Sequence, residues 1–172
     1  MKKIILVLLT FVSLVACNQP KVAYVDVKEL MKEYKGTKET EEAMKAKSDG
    51  LKHKLDSLVA NWQQKVQIYQ QGAQKMSAKA RSENEQSLMQ EQQSIGQLQQ
   101  MYQAQLQKEG EESVKGITRE IDSFVAGYAK SKGYTYILGT SEDTQTVLYA
   151  QENMDITADI LAQMNKSYKS KK

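Results

Sequence analysis

Proline is nearly missing from this chain of 172 residues: Pro20 is the only one, so that breaker interrupts nothing beyond it and long helices are permitted there. Cysteine occurs once, at Cys17, which excludes a disulfide scaffold and any CxxC metal or redox pair. The single histidine, His53, excludes His-paired zinc and HExxH chemistry. No P-loop, GxGxxG, Ser-His-Asp set or paired-carboxylate pattern is present, so neither catalysis, a metal nor a cofactor is expected. Neither sign of charge dominates, with 24 Lys and Arg against 21 Asp and Glu. That balance gives no argument for nucleic-acid binding.

What is present begins with Met1-Lys2-Lys3 and an apolar run from Ile4 to Val15 that only Thr10 and Ser13 interrupt. The run is too short for a bilayer core of about 30 Å, which needs about 20 residues, and it reads as a secretory signal. It ends in Leu14-Val15-Ala16-Cys17, which resembles the lipobox of bacterial lipoproteins. That resemblance implies cleavage after residue 16 and acylation of Cys17. Cleavage removes Lys2 and Lys3 and leaves 22 basic against 21 acidic residues, a mature net charge of +1. Residues 17–21 then form a lipidated tether. Asn18 is not the Asp that resembles an inner-membrane retention signal, so the expected destination is the inner leaflet of the outer membrane, facing the periplasm.

The mature chain has three textures. Lys21-Val22-Ala23-Tyr24-Val25-Asp26 is β-branched and aromatic and predicts a strand. From Val27 to about Lys132 the sequence is rich in Gln, Glu and Lys, and Asp26 with Glu29 predicts a capped helix start. Apolar positions at Leu51, Leu55, Leu58, Trp62, Val66, Tyr69, Ala73 and Met76 advance in steps of three and four, a coiled-coil seam with one irregularity near Trp62. A second series runs through Leu88, Ile95, Leu98, Tyr102, Leu106, Val114, Ile117, Ile121, Val125 and Tyr128. Two narrow stripes of similar length predict two long antiparallel helices over 27–132, with 58–69 set against 95–106. The periodicity lapses between Met76 and Leu88, which places the reversal near 72–80; one continuous dimerising rod is the alternative.

Beyond Gly133, Tyr134-Thr135-Tyr136-Ile137-Leu138 predicts a strand, residues 139–145 a polar hairpin loop, and Val147-Leu148-Tyr149-Ala150 the returning strand. Asp155 is placed to cap a last helix carrying Ile156, Ile160, Leu161, Met164 and Tyr168. The fold class is therefore α+β: a long antiparallel helical hairpin projecting from a small β-rich body made of 22–26 and 133–168. So thin a sheet leaves edges that association would cover. Tyr24, Val25, Ile137, Leu138, Leu148, Tyr149, Ile156 and Ile160 are the candidates for the body and oligomer core.

This order of elements resembles the Skp/OmpH family of periplasmic chaperones. The resemblance rests on Val22-Ala23-Tyr24-Val25-Asp26, Tyr136-Ile137-Leu138-Gly139, Val147-Leu148-Tyr149-Ala150 and Asp155-Ile156-Thr157-Ala158-Asp159-Ile160-Leu161. It implies a homotrimer whose β-rich body holds three helical tentacles around a cavity for unfolded outer-membrane proteins, an ATP-independent holdase with no enzyme activity. A structural coiled-coil lipoprotein that spaces the envelope layers is the alternative. Familiar members are soluble and strongly basic, whereas this chain carries a lipobox and is nearly neutral.

The remaining residues have both a structural and a functional reading. His53 reads as a solvated helix residue. Trp62, Tyr69 and Tyr102 fall at seam spacing and read as coiled-coil core before cavity lining. Lys75, Lys79 and Arg81 make the expected tip basic and could contact clients or membrane, although Glu83 and Glu85 follow at once. Sixteen Gln between Asn61 and Lys108 read as a solvated face, or else as a surface that hydrogen-bonds exposed backbone irrespective of charge.

Overall fold

The structure is a computed structural model that describes residues 20–141 and 146–169. The elements in order are strand β1 (Val22–Asp26), helix α1 (Val27–Glu33), helix α2 (Lys35–Gly72), a 3₁₀ turn (Ala73–Lys75), helix α3 (Ala78–Lys132), strand β2 (Tyr136–Thr140), a second 3₁₀ turn (Glu152–Met154) and helix α4 (Thr157–Ser167). This is the α+β fold expected: a long helical hairpin on a small body. The signal segment 1–16, Cys17, most of the tether, part of the 139–145 loop and the end of the lysine tail lie outside the described residues.

Asp26 starts α1 as its side chain accepts a hydrogen bond from Glu29 N, satisfying one of the first-turn donors. The outgoing helix is not continuous from Val27, as the periodicity had suggested. Tyr34 leaves the helical region at ψ 130° and sends its ring into the body core, where it is buried. A side chain from α4 makes good the broken backbone pattern. Asn165 Oδ1 accepts from Lys35 N at 2.8 Å, and Asn165 Nδ2 donates to Glu33 O at 3.4 Å. Tyr168 packs edge-on against Tyr34 with ring centroids 5.4 Å apart. Gly36 lies against both rings: a Cβ there would stand 2.5 Å from the Tyr34 ring and 3.1 Å from that of Tyr168.

The hairpin reverses over residues 73–77, where the 3₁₀ turn gives way to extended Met76 and Ser77 caps α3 by accepting from Ala80 N. The arms then run in antiparallel register. Tyr34 meets Glu120, Lys47 meets Glu109, Lys65 meets Glu91 and Tyr69 meets Glu85. The indole Nε1 of Trp62 donates to Leu88 O at 2.9 Å. These contacts set 58–69 against the stretch around Leu88 and Glu91, N-terminal to the expected partner 95–106. Near Trp62 the stripe widens: Val59 is half-buried, and Leu58, 37% exposed, lines a groove with Tyr102 of the facing helix. On α3, Val114 is exposed and the small residues Gly110 and Ser113 are half-buried in its place.

The body departs further from expectation. Gly133 ends α3 at φ 70°, a left-handed cap that glycine adopts without a Cβ penalty, and turns the chain back on itself. As a result β2 runs parallel to β1, from Val22 opposite Tyr136 to Asp26 opposite Thr140, with no β-hairpin. The other edge of β1 is taken by the approach to α4, where Tyr24 bridges to Asp155 and Ile156 N donates to Tyr24 O at 3.1 Å. Residues 147–150 form no strand, so the outer edge of β2, where the hairpin partner was expected, is unpaired among the described residues.

The core lies where α1, α4 and the base of α3 cover one face of this sheet. Leu30 and Ile160 are completely buried at its centre, with Val25, Ile121, Ile156 and Met164 around them. From 38 to 116, by contrast, no residue is buried, because two helices can shield a seam only in part.

Two expectations test this division. Gly36→Ala should lower the unfolding free energy measured by urea titration by about 1–3 kcal/mol, since the rings of Tyr34 and Tyr168 must move. Gly110→Ala, whose Cβ would meet nothing within 4 Å, should be neutral or stabilise by up to about 1 kcal/mol. Hydrogen exchange should also be graded: amides around Ile117, Ile121 and α4 should be protected about a hundredfold more than those of α2 beyond Leu51. Uniform protection along α3 would show that the arm and body open as one unit.

Candidate functional site

Among the described residues no group of three or more His, Cys, Asp or Glu could hold a metal ion. No helix among them is long and apolar enough to cross a membrane. The functional candidates are therefore surfaces, and the fold presents four.

The first is the outward face of the sheet. Alternation along β1 turns Ala23 and Val25 inward and leaves Tyr24 half-buried on the other side. On β2, Ile137 packs against the core while Tyr136 and Leu138 point out, 61% and 43% exposed. Of the residues expected in the body core, Val25, Ile156 and Ile160 are buried within the chain itself. Leu138, Leu148 and Tyr149 are not: Leu138 points out from β2, and Leu148 at 89% and Tyr149 at 85% exposure lie in a segment that forms no strand. Together with Tyr24 and Tyr136 they give the body an apolar, aromatic exterior.

Below it, a polar lock holds the sheet to α4. Thr157 Oγ1 accepts from Asp26 N at 2.8 Å and donates to Asp155 Oδ1 at 2.6 Å, while Thr157 N also donates to Asp155 Oδ1. Burial, and after it the acidic neighbours Asp155 and Glu152, push the Tyr24 phenol above its ordinary pKa.

The second surface is the neck. An open groove of about 550 Å³ runs between α1, α2 and α3, walled by Met31, Met44, Val114 and Ile117. Thr37 lines it, and its buried Oγ1 has no hydrogen-bond partner among the described residues. On the opposite side the Tyr34 hydroxyl donates to Glu120 Oε2 at 3.2 Å; burial, with Glu120 beside it, pushes this phenol up to about 12. Sequence reasoning missed Thr37 and Asn165, since a lone Thr or Asn in a polar helix gives no periodic signal.

The third is the tip. Lys75, Lys79 and Arg81 are all placed at the reversal and exposed. Lys79 lies 3.8 Å from Glu83, and Tyr69 donates to Glu85 just behind, so the basic residues share the tip with acidic ones. The fourth is the flank of the arms. Trp62, Tyr69 and Tyr102 sit half-buried in the seam, and His53 lies exposed on α2. Lys47 lowers the pKa of Glu109 across the seam, first by its hydrogen bond.

A model of the family described as outer membrane protein (OmpH-like) matches residues 21–164. Among solved structures, a protein from Caulobacter crescentus CB15 described as an OmpH-like outer membrane chaperone superposes with a TM-score of 0.79. The two chains are 12% identical, with 89% of this chain and 88% of that one covered, a likeness of fold alone. No curated protein sequence matches. The family match takes in the sheet, both long helices and most of α4, and the chain belongs to the OmpH-like outer membrane protein family.

Proposed function

We propose that this protein is an ATP-independent periplasmic holdase that binds unfolded outer-membrane proteins, anchored to the inner leaflet of the outer membrane through acylated Cys17. The observation that carries the reading is the pairing of an OmpH-like fold with an arm that encloses nothing of its own. Two helices of 38 and 55 residues, with no buried residue from 38 to 116, make a long surface rather than a core. Such a surface serves contact with something else.

Assembly as a homotrimer through the body completes the proposal. Leu148 and Tyr149 at 89% and 85% exposure, together with Tyr136 and Leu138 at 61% and 43%, are costly for a monomer to leave in water. Burying one such side chain stabilises by about 1.5–3 kcal/mol. A strand-free segment at 147–150 is also available to add to a neighbouring subunit's sheet edge.

Purified mature protein, mixed with urea-unfolded outer-membrane porin and diluted, should suppress light scattering at molar excess without nucleotide. Absence of suppression would favour the envelope-spacer alternative. Cys17→Ala should release the protein from membranes and leave suppression intact. Leu148→Asp with Tyr149→Asp should lower the sedimenting mass while helical circular dichroism is retained, since neither side chain supports the chain's own core. An unchanged mass would place the subunit contact elsewhere.

A further inference from the structure

Charge is distributed very unevenly along the arm. About a quarter of the chain's residues are charged, yet Lys65 is the only charge in 57–74 and Glu91 the only one in 86–107. The hairpin lays these two stretches side by side, through Trp62 on Leu88, and brings the two charges together at 2.7 Å, where they cancel. All sixteen Gln between Asn61 and Lys108 fall within them, and all but Gln105 are exposed. Apart from Gln105 and Gln107, which donate to Glu109 and Glu111, these side chains make no hydrogen bond to another side chain among the described residues. Ile68, Met89 and Met101 stand among them, 60%, 59% and 54% exposed.

We infer that this neutral sleeve, Gln-rich and studded with Ile68, Met89 and Met101, is the contact surface for an unfolded polypeptide segment of either charge sign or none. The inference rests on the holdase reading and names the surface that performs it. A carboxamide offers two donors and an acceptor without net charge, the same complement that an unpaired peptide group presents. Methionine adapts its unbranched thioether to irregular apolar partners. Lysine or glutamate at these positions would select clients by charge and make capture sensitive to salt; here the selection is absent. The other charges of the arm flank the sleeve, in 35–56 and 108–122 toward the body and in the mixed-sign tip from Lys75 to Glu85, and the sleeve between them carries only the Lys65–Glu91 pair. Each contact is weak against competing water, so affinity must come from many of them along the segment.

The test uses full-length mature protein and fluorescently labelled, urea-unfolded outer-membrane porin. Binding should weaken by less than about threefold between 50 and 500 mM NaCl, where capture by opposite charge would weaken by tenfold or more. The variant Ile68→Ser, Met89→Ser, Met101→Ser should melt within a degree or two of the parent, because all three side chains are exposed. Its affinity should fall about tenfold at both salt concentrations. Gln67→Glu with Gln93→Glu and Gln97→Glu should make binding salt-dependent, whereas Lys45→Gln with Lys52→Gln, outside the sleeve, should leave it within twofold. Unchanged affinity of the Ser variant, or steep salt dependence of the parent, overturns the sleeve and leaves the holdase standing. A parent protein that binds no porin at either salt overturns the holdase reading itself. A Ser variant that changes sedimenting mass instead identifies a second copy's arm as the occupant and overturns the proposal.

Discussion

Everything in this molecule depends on the parallel pairing of two five-residue strands that enclose the whole arm between them. Parallel strands require a crossover, and here the crossover is the hairpin itself. A flexible loop of that length would oppose closure, although only logarithmically in its length. The zipped helices lower that cost further by returning the chain to the neck. What closes the strands is then local: Gly133 turns the backbone at φ 70°, Thr135 N donates to Lys21 O at 2.7 Å, and Lys21 Nζ reaches Lys132 O and the face of Tyr134. On the other edge, the Asp26–Thr157–Asp155 lock fixes α4, and α4 in turn supplies Asn165 and Tyr168 to the break at Tyr34. The neck angle is thus set by a helix from the far end of the sequence.

The arm obeys different energetics. Exposed ion pairs such as Lys65–Glu91 are worth up to about 1 kcal/mol each, and the Trp62 hydrogen bond about the same. They choose the register more than they stabilise it. Stability comes from a half-buried seam of Leu51, Leu55, Val59, Trp62, Val66 and Tyr69 against Leu88, Ile95, Leu98 and Tyr102. Each contributes only part of what full burial would, so the arm persists because the Ile117 and Ile121 core holds one end and the tip turn the other.

This contrast explains what could be read from the sequence. Helix extent, the reversal and the α+β class follow from spacing, and spacing survives in isolated sequence because each turn of the arm reports only its neighbour. The break at Tyr34 and the parallel sheet did not show, since both are decided by residues far away. Asn165 caps Lys35 across the body, and the partner of β2 is β1 from the far end of the chain, not a returning strand at 147–150. Among the candidate surface residues, Val25, Ile156 and Ile160 were legible as core from alternation and helical period. Leu148 and Tyr149 carried the same apolar signal with no partner inside the chain to receive them.

Cohesion and contact are therefore divided along one molecule. The body holds all the fully buried side chains and spends them on its own geometry. The distal arm has none, and its stretches 57–74 and 86–107 carry neither the charge that usually keeps apolar groups apart, beyond the single Lys65–Glu91 pair, nor an apolar patch broad enough to drive tight association. Carboxamides keep such a surface in water while leaving each contact worth about 1 kcal/mol or less after competition with solvent. Contacts of that size add up along an extended segment and vanish one by one as the segment finds its own partners. Release then needs no energy source beyond the folding of whatever is held.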